Sequence, residues 1–186
     1  TTFFLQNEID TGKIIFKTKV AVSESDNAET LHNKLMIEGA NLTLKTVDAI
    51  ESGNCPHIDQ KIFMEANIPL KAAPKIFKTN CKINWTDSAE KICNFIRGLS
   101  PYPTAWTEIK INRSEVLLFK IYECCFIHET HFFKSGFIIS DKKRVLKIAV
   151  DSGFIYIISL QLAGKKRLGI EEFLRGFTYS EIEIVL

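Results

Sequence analysis

From residue 106 onward the chain breaks into short runs rich in β-branched and aromatic residues, at 106–111, 116–127, 136–139, 145–150 and 154–160, each set off by turn-forming or charged residues. Runs of this kind form strands that bury one face. Five of them within roughly 80 residues, followed by a short helix near 170–175, predict a small five-stranded β-barrel of the oligonucleotide-binding type.

Ahead of the barrel, T-D-S-A-E-K-I-C-N-F-I-R-G-L at 86–99 carries Ile92, Phe95, Ile96 and Leu99 on one stripe, with Thr86 or Asp87 available as cap. Gly98 and the P-Y-P of 101–103 stop this helix. Residues 51–82 hold Pro56, Pro69 and Pro74 without periodicity, which predicts an extended linker. At the other end, 3–6 and 14–22 read as two strands around the turn-like N-E-I-D-T-G. Leu31, Leu35, Leu42, Leu44, Val47 and Ile50 then recur at roughly helical spacing, with Asp26 or Asn27 as cap. Strand, loop, strand and helix make the edge of an α/β domain. The expected organisation is 1–52 as that edge, 53–82 as a basic linker, and 83–186 as a helix plus barrel.

The formal charge of +2 hides an asymmetry. Residues 1–60 carry 5 Lys and Arg against 9 Asp and Glu, whereas 61–186 carry 19 against 13. The later part is therefore the one to examine for a polyanionic partner. No apolar run approaches the roughly 20 residues that span a bilayer, and TTFFLQNEID lacks a basic segment followed by an apolar one. A cytoplasmic, monomeric protein without membrane contact is expected, and the start at Thr1 rather than Met suggests a piece of a longer chain. Cys55, Cys81, Cys93, Cys124 and Cys125 form an odd set with no C-x-x-C pair, so reduced thiols are expected rather than a disulfide framework or a zinc ribbon.

Several positions bear chemistry. Asp10 lies in a loop close to Gly12, whose missing side chain lets backbone approach a ligand; it reads either as an acid/base carboxylate or as a turn residue bonding its own backbone. Lys165, Lys166 and Arg167 are three adjacent positive charges after Gly164, and Lys142, Lys143 and Arg144 form a second triplet in another turn. Each triplet reads either as a solvated turn or as a phosphate contact. Lys71, Lys75 and Lys78 make the linker basic. Trp85, Tyr102 and Trp106 suit base stacking, but their place around a helix and a Pro-x-Pro hinge favours packing of that helix on the barrel. There is no Gly-rich phosphate loop and no metal-spaced cluster of His, Cys and Asp.

Three ordered segments carry a family resemblance. I-D-T-G-K-I-I at 9–15 resembles the D-x-G-x-I signature of enzymes that move a formyl group from 10-formyltetrahydrofolate. I-N-W at 83–85, followed by I-R-G-L-S-P-Y-P-T-A-W at 96–106, is similar to the I-D-W, I-R and P-x-P-x-A-W pattern of methionyl-tRNA formyltransferases. L-Q-L-A-G-K-K-R-L at 160–168 resembles their L-Q-P-x-G-K-K-x-M run, with Leu162 where the family commonly has Pro. Nearly the whole chain is covered, in order.

The resemblance implies the back half of such an enzyme: part of a Rossmann-like formyltransferase domain, a basic interdomain linker and an OB-fold-like barrel that holds initiator methionyl-tRNA. It makes Asp10 the catalytic aspartate that orients a histidine and helps take up the amine proton, with Gly12 in the folate loop. The family's asparagine and histidine, which polarise the formyl carbonyl, belong to an N-x-H-x-S-L-L-P segment absent here; His32, His57, His128 and His131 fit surface or packing roles. The chain alone is accordingly expected to be inactive and to contribute tRNA binding. The resemblance assigns Lys165, Lys166 and Arg167 to tRNA contact, and the linker lysines to the acceptor arm. Two rivals remain: an amino-sugar formyltransferase, against which the basic triplet argues, and a free-standing RNA-binding barrel, to which the segment 1–52 would be surplus.

Overall fold

The computed structural model describes residues 1–63, 72–112, 115–179 and 182–185. They fall into two compact units, Thr1–Asp26 with Thr30–Lys75 and Asn27–Glu29 with Ile76–Leu186.

In the first unit, β1 (Thr2–Phe3) and β2 (Ile14–Phe16) pair antiparallel, and Ile58 joins Ile14 through two backbone hydrogen bonds of 2.8 and 2.9 Å. Both strands are shorter than expected. Residues 17–22 have strand composition but lie outside the ladder and are mostly exposed, and composition without a partner strand does not make a strand. Helix α1 (Ala28–Glu51) contains no proline and stops at Gly53 (φ +72°), where Gly53 N–H donates to Ile50 O and Asn54 N–H to Ala49 O. Just ahead of it, the buried Asp26 carboxylate accepts from Lys34 Nζ and Ser23 N, both at 2.7 Å, and from Thr30 Oγ1. The Lys34 ammonium, seconded by the Ser23 amide, holds this carboxyl well below the usual carboxylate range. The expected apolar stripe of α1 is only partly covered. Leu42 and Thr46 are buried, whereas Leu35, Leu44, Val47 and Ile50 remain exposed; helical spacing reports which face seeks burial, not whether a neighbour covers it.

The second unit holds the core. A 3-10 turn at Lys78–Cys81 leads to α2 (Ala89–Leu99), which buries Ala89, Ile92, Ile96 and Leu99 with Phe95 packed alongside. Its cap is Ser88, whose hydroxyl accepts from Lys91 N, rather than Thr86 or Asp87; Asp87 instead pairs with Lys91 Nζ at 2.6 Å. The strands are β3 (Ala105–Ile111), β4 (Glu115–His128), β5 (Ile138–Ser140), β6 (Leu146–Val150), β7 (Gly153–Leu162), β8 (Arg167–Gly169) and β9 (Ile182–Ile184), with α3 at Ile170–Gly176. All pair antiparallel in the order β5-β6-β7-β4-β3-β9, while β8 sits on β7 beyond β6. The end strands β5 and β9 approach one another, so the sheet is barrel-like.

The five expected strands are all present, but the described sheet has seven. The two additions, β8 and β9, have three residues each, too short to display an alternation that a reader of sequence could detect. β3 shows strict alternation, with Ala105, Thr107, Ile109 and Ile111 inward. Trp85 is 1% exposed and its Nε1–H donates to the buried Thr107 Oγ1 at 2.9 Å, the packing role expected of it. Tyr102, at 84% exposed, does not share that role. The five cysteines are free, and the Cys93 and Cys124 sulfurs lie 3.2 Å apart between α2 and β4.

Candidate nucleic-acid interface

The first unit presents Asp10 on the loop between β1 and β2. Its backbone lies in the left-handed region (φ 58°), a conformation that Asp tolerates better than most residues. Gln60 fixes the loop from across the bridge: its Nε2 donates to both Asp10 O and Gly12 O at 2.7 Å. A Cβ on Gly12 would lie 1.5 Å from Phe4 O, so only glycine lets the two arms of the loop pass. The Asp10 side chain is exposed, and an open hollow in the same loop is lined by Gln6, Asn7, Glu8 and Thr11, without Asp10.

The second unit gathers cations and aromatics in one row. Across the sheet, Lys82 bridges to Trp106, Trp106 is the partner of Lys120, Lys120 of Gln161, and Gln161 of Arg167. Directly paired residues point to the same side, and the neighbours Ala105, Ile121 and Leu160 are buried, so this row faces outward. Its span from β3 to β8 is about 14 Å at roughly 4.8 Å per strand. Trp106 Nε1–H donates to Lys78 O at 2.7 Å, and the Lys78 and Lys82 ammoniums lie 5.8 and 5.9 Å from its ring. At the far end the Arg167 guanidinium lies 4.5 Å over Tyr122, whose hydroxyl donates to Gln161 Oε1. Among the described residues, acids on this face stand beside cations: Glu108 with Lys82 at 3.2 Å, Glu123 with Arg167 at 3.9 Å and Glu183 with Lys110 at 3.6 Å.

The turn from β7 to β8 extends this row. Lys165 N–H donates to Leu162 O and its carbonyl accepts from Gln161 Nε2, leaving the Lys165 and Lys166 side chains exposed. Lys165, Lys166 and Arg167 thus continue the line that Lys78 begins. The second triplet belongs to a different turn, between β5 and β6. Asp141 holds that turn, one carboxylate oxygen accepting the N–H groups of Val145, Arg144 and Lys143, which lowers its pKa to about 2. Lys142 Nζ is drawn onto Tyr179 O and over the Tyr179 ring, while Lys143 and Arg144 are exposed. Lys75 is exposed on the first unit, and Lys71 lies outside the described residues.

Lys120 and Tyr122 escaped sequence reasoning, although the alternation around Phe119 and Ile121 placed them together on the outer face. The pairing of 161 with 167 was illegible because β8 is so short.

A family model described as formyl transferase, C-terminal domain, matches residues 75–178. The chain is 47% identical over 181 residues to the methionyl-tRNA formyltransferase of Bacteroides thetaiotaomicron, covering 97% of this chain and 56% of that protein. It is 45% identical over 181 residues to that of Flavobacterium johnsoniae, with the same coverage. The chain thus spans about half the length of the curated relatives it matches. Among solved structures, HypX from Aquifex aeolicus in complex with tetrahydrofolic acid matches with a TM-score of 0.63 at 14% identity, over 97% of this chain and 32% of that one. At that identity the likeness concerns the fold alone.

Proposed function

Given that the chain belongs to the formyl transferase C-terminal domain family, we propose that it is the tRNA-holding portion of an enzyme that transfers a formyl group from 10-formyltetrahydrofolate to the amine of methionyl-initiator tRNA. The observation that carries this reading is the outward row from Lys78 and Lys82 through Trp106 and Lys120 to Arg167, continued by Lys165 and Lys166. Cations in a line two strand positions apart, with Trp106 and Gln161 between them, suit a polyanionic backbone, and such contacts position an RNA without reading its bases. Lys142, Lys143, Arg144, Lys71 and Lys75 are assigned to the same polyanion as outlying contacts.

In this proposal the barrel-like sheet is of the OB type, and the domains run 1–52, 53–82 and 83–186. The exposed apolar side of α1 supports reading the first unit as the edge of a larger Rossmann-like layer. Asp10 supplies a carboxylate that orients a histidine and accepts a proton from the attacking amine. The hollow in its loop is lined by polar residues, so the walls for a flat pterin ring are assigned to the portion of the relatives that this chain does not match. Without the asparagine and histidine partners the 186-residue chain is expected to transfer no formyl group.

Replacing Lys165, Lys166 and Arg167 together with Ala should weaken binding of initiator tRNA and flatten its salt dependence. Each lost phosphate contact removes roughly 0.7 to 0.9 from the slope of log affinity against log salt. Lys120→Ala should shift the slope in the same direction. Filter binding at several salt concentrations reads both, and slopes equal to the parent's would assign the triplet to a solvated turn. An amino-sugar substrate, the rival, would leave tRNA binding weak in the parent itself.

A further inference from the structure

The connection between β4 and β5, residues 129–137, turns its phenylalanines outward. Phe132 is 102% exposed, and Phe133 and Phe137 are about half exposed. Phe133 and Phe137 stack with centroids 5.0 Å apart and planes 10° from parallel, and Phe133 meets the buried Phe154 edge-on. The arrangement is braced from beneath. His131 Nε2 lies 2.9 Å from both Val150 O and Gly153 O, and its Nδ1 accepts from Phe133 N–H, so the ring ties the loop to the turn between β6 and β7. Gly136 N–H donates to Ala149 O, and Ala149 N–H to Phe137 O. A loop held this firmly, with a whole aromatic ring in solvent at its tip, is built to meet something.

Charge identifies the kind of partner. Residues 129–149 contain Lys134, Lys142, Lys143, Arg144 and Lys147 against Glu129 and Asp141. Glu129 faces Lys147 at 4.0 Å, and Asp141 is engaged by three backbone N–H groups. Exposed aromatic faces on a segment of net positive charge fit nucleobases on a phosphate backbone better than an acidic or apolar protein face, because every base offers a π-face to stack while its phosphates meet the cations. The platform is separate from the phosphate row: eight steps along β4 part His128 from Lys120, about 26 Å at strand rise.

We propose that Phe132, carried on the same braced loop as the Phe133–Phe137 stack, is a stacking platform for an unpaired base of the bound RNA. The inference rests on the tRNA-binding reading above and adds a contact that is aromatic rather than electrostatic.

The test measures affinity of the 186-residue chain for initiator tRNA at several salt concentrations, for the parent, Phe132→Ala and Phe132→Trp. Phe132→Ala should bind about tenfold more weakly at every salt concentration with the parent's salt slope, and Phe132→Trp should bind at least as well as the parent. Phe132 is fully exposed, so both variants should keep the parent's far-UV spectrum. A parent that binds no tRNA would remove the tRNA reading and the platform together. A parent that binds, with Phe132→Ala unchanged, would overturn the platform alone. So would a changed slope in Phe132→Ala, or unaltered RNA binding together with lost self-association in sedimentation, which would mark the loop as a protein contact.

Discussion

Asp10→Asn in the whole enzyme is expected to lower kcat by about a hundredfold or more while leaving tRNA affinity nearly unchanged. The separation of effects follows from the loop's construction. Gln60 braces the backbone carbonyls of Asp10 and Gly12, not the carboxylate. Asparagine also tolerates the left-handed backbone that residue 10 adopts. The substitution therefore keeps the loop and removes only the proton acceptor and its charge. Steady-state kinetics with varied tRNA would read kcat and KM separately, and a near-normal kcat would take Asp10 out of the mechanism. A raised KM with normal kcat would place the loop in binding instead.

Trp85→Ala should cost the second unit about 3–5 kcal/mol, the range for truncating a large aromatic core side chain. Trp85 is 1% exposed, it belongs to the core shared with Ile92, Ile96 and Ile109, and its indole N–H satisfies Thr107, which has no exposure at all. Against a total stability of about 5–15 kcal/mol for an ordinary domain, this is a large share. Trp85→Phe separates the components. It keeps most of the ring but leaves the Thr107 hydroxyl without its donor, and should cost about 1–3 kcal/mol. Urea titrations followed by circular dichroism give both values. A midpoint for Trp85→Ala within error of the parent's would mean that Trp85 does not anchor the stretch ahead of α2 to the barrel.

Much of the second unit was legible because its signals are local. Strict alternation marks β3, one stripe marks α2, and a Pro-rich stop follows it. What escaped depended on partners distant in the chain. The cap of α2 fell to Ser88 among adjacent candidates of similar chemistry, and only geometry distinguishes them. β8 and β9 are strands only because β7 and β3 offer edges to three-residue segments. In the first unit, composition overextended β2, since residues 17–22 have the β-branched content of a strand without a place in the ladder. The basic triplet at 165–167 was visible as charge, but not its alignment with Lys120 and Trp106, because that depends on register across four strands. Asp10 and Gly12 stood out by motif, whereas the brace from Gln60 spans 50 residues and leaves no local trace.

The central claim is that initiator tRNA lies along the outward row of the barrel-like sheet. Lysine footprinting of the 186-residue chain, with an amine-acylating reagent and mass spectrometry in the presence and absence of initiator tRNA, tests it most directly. Lys78, Lys82, Lys120, Lys165 and Lys166 should lose most of their reactivity when tRNA is bound, while Lys13 and Lys19 of the acidic first segment keep theirs. Uniform protection of all lysines, or unchanged reactivity at Lys120, Lys165 and Lys166, would contradict the account.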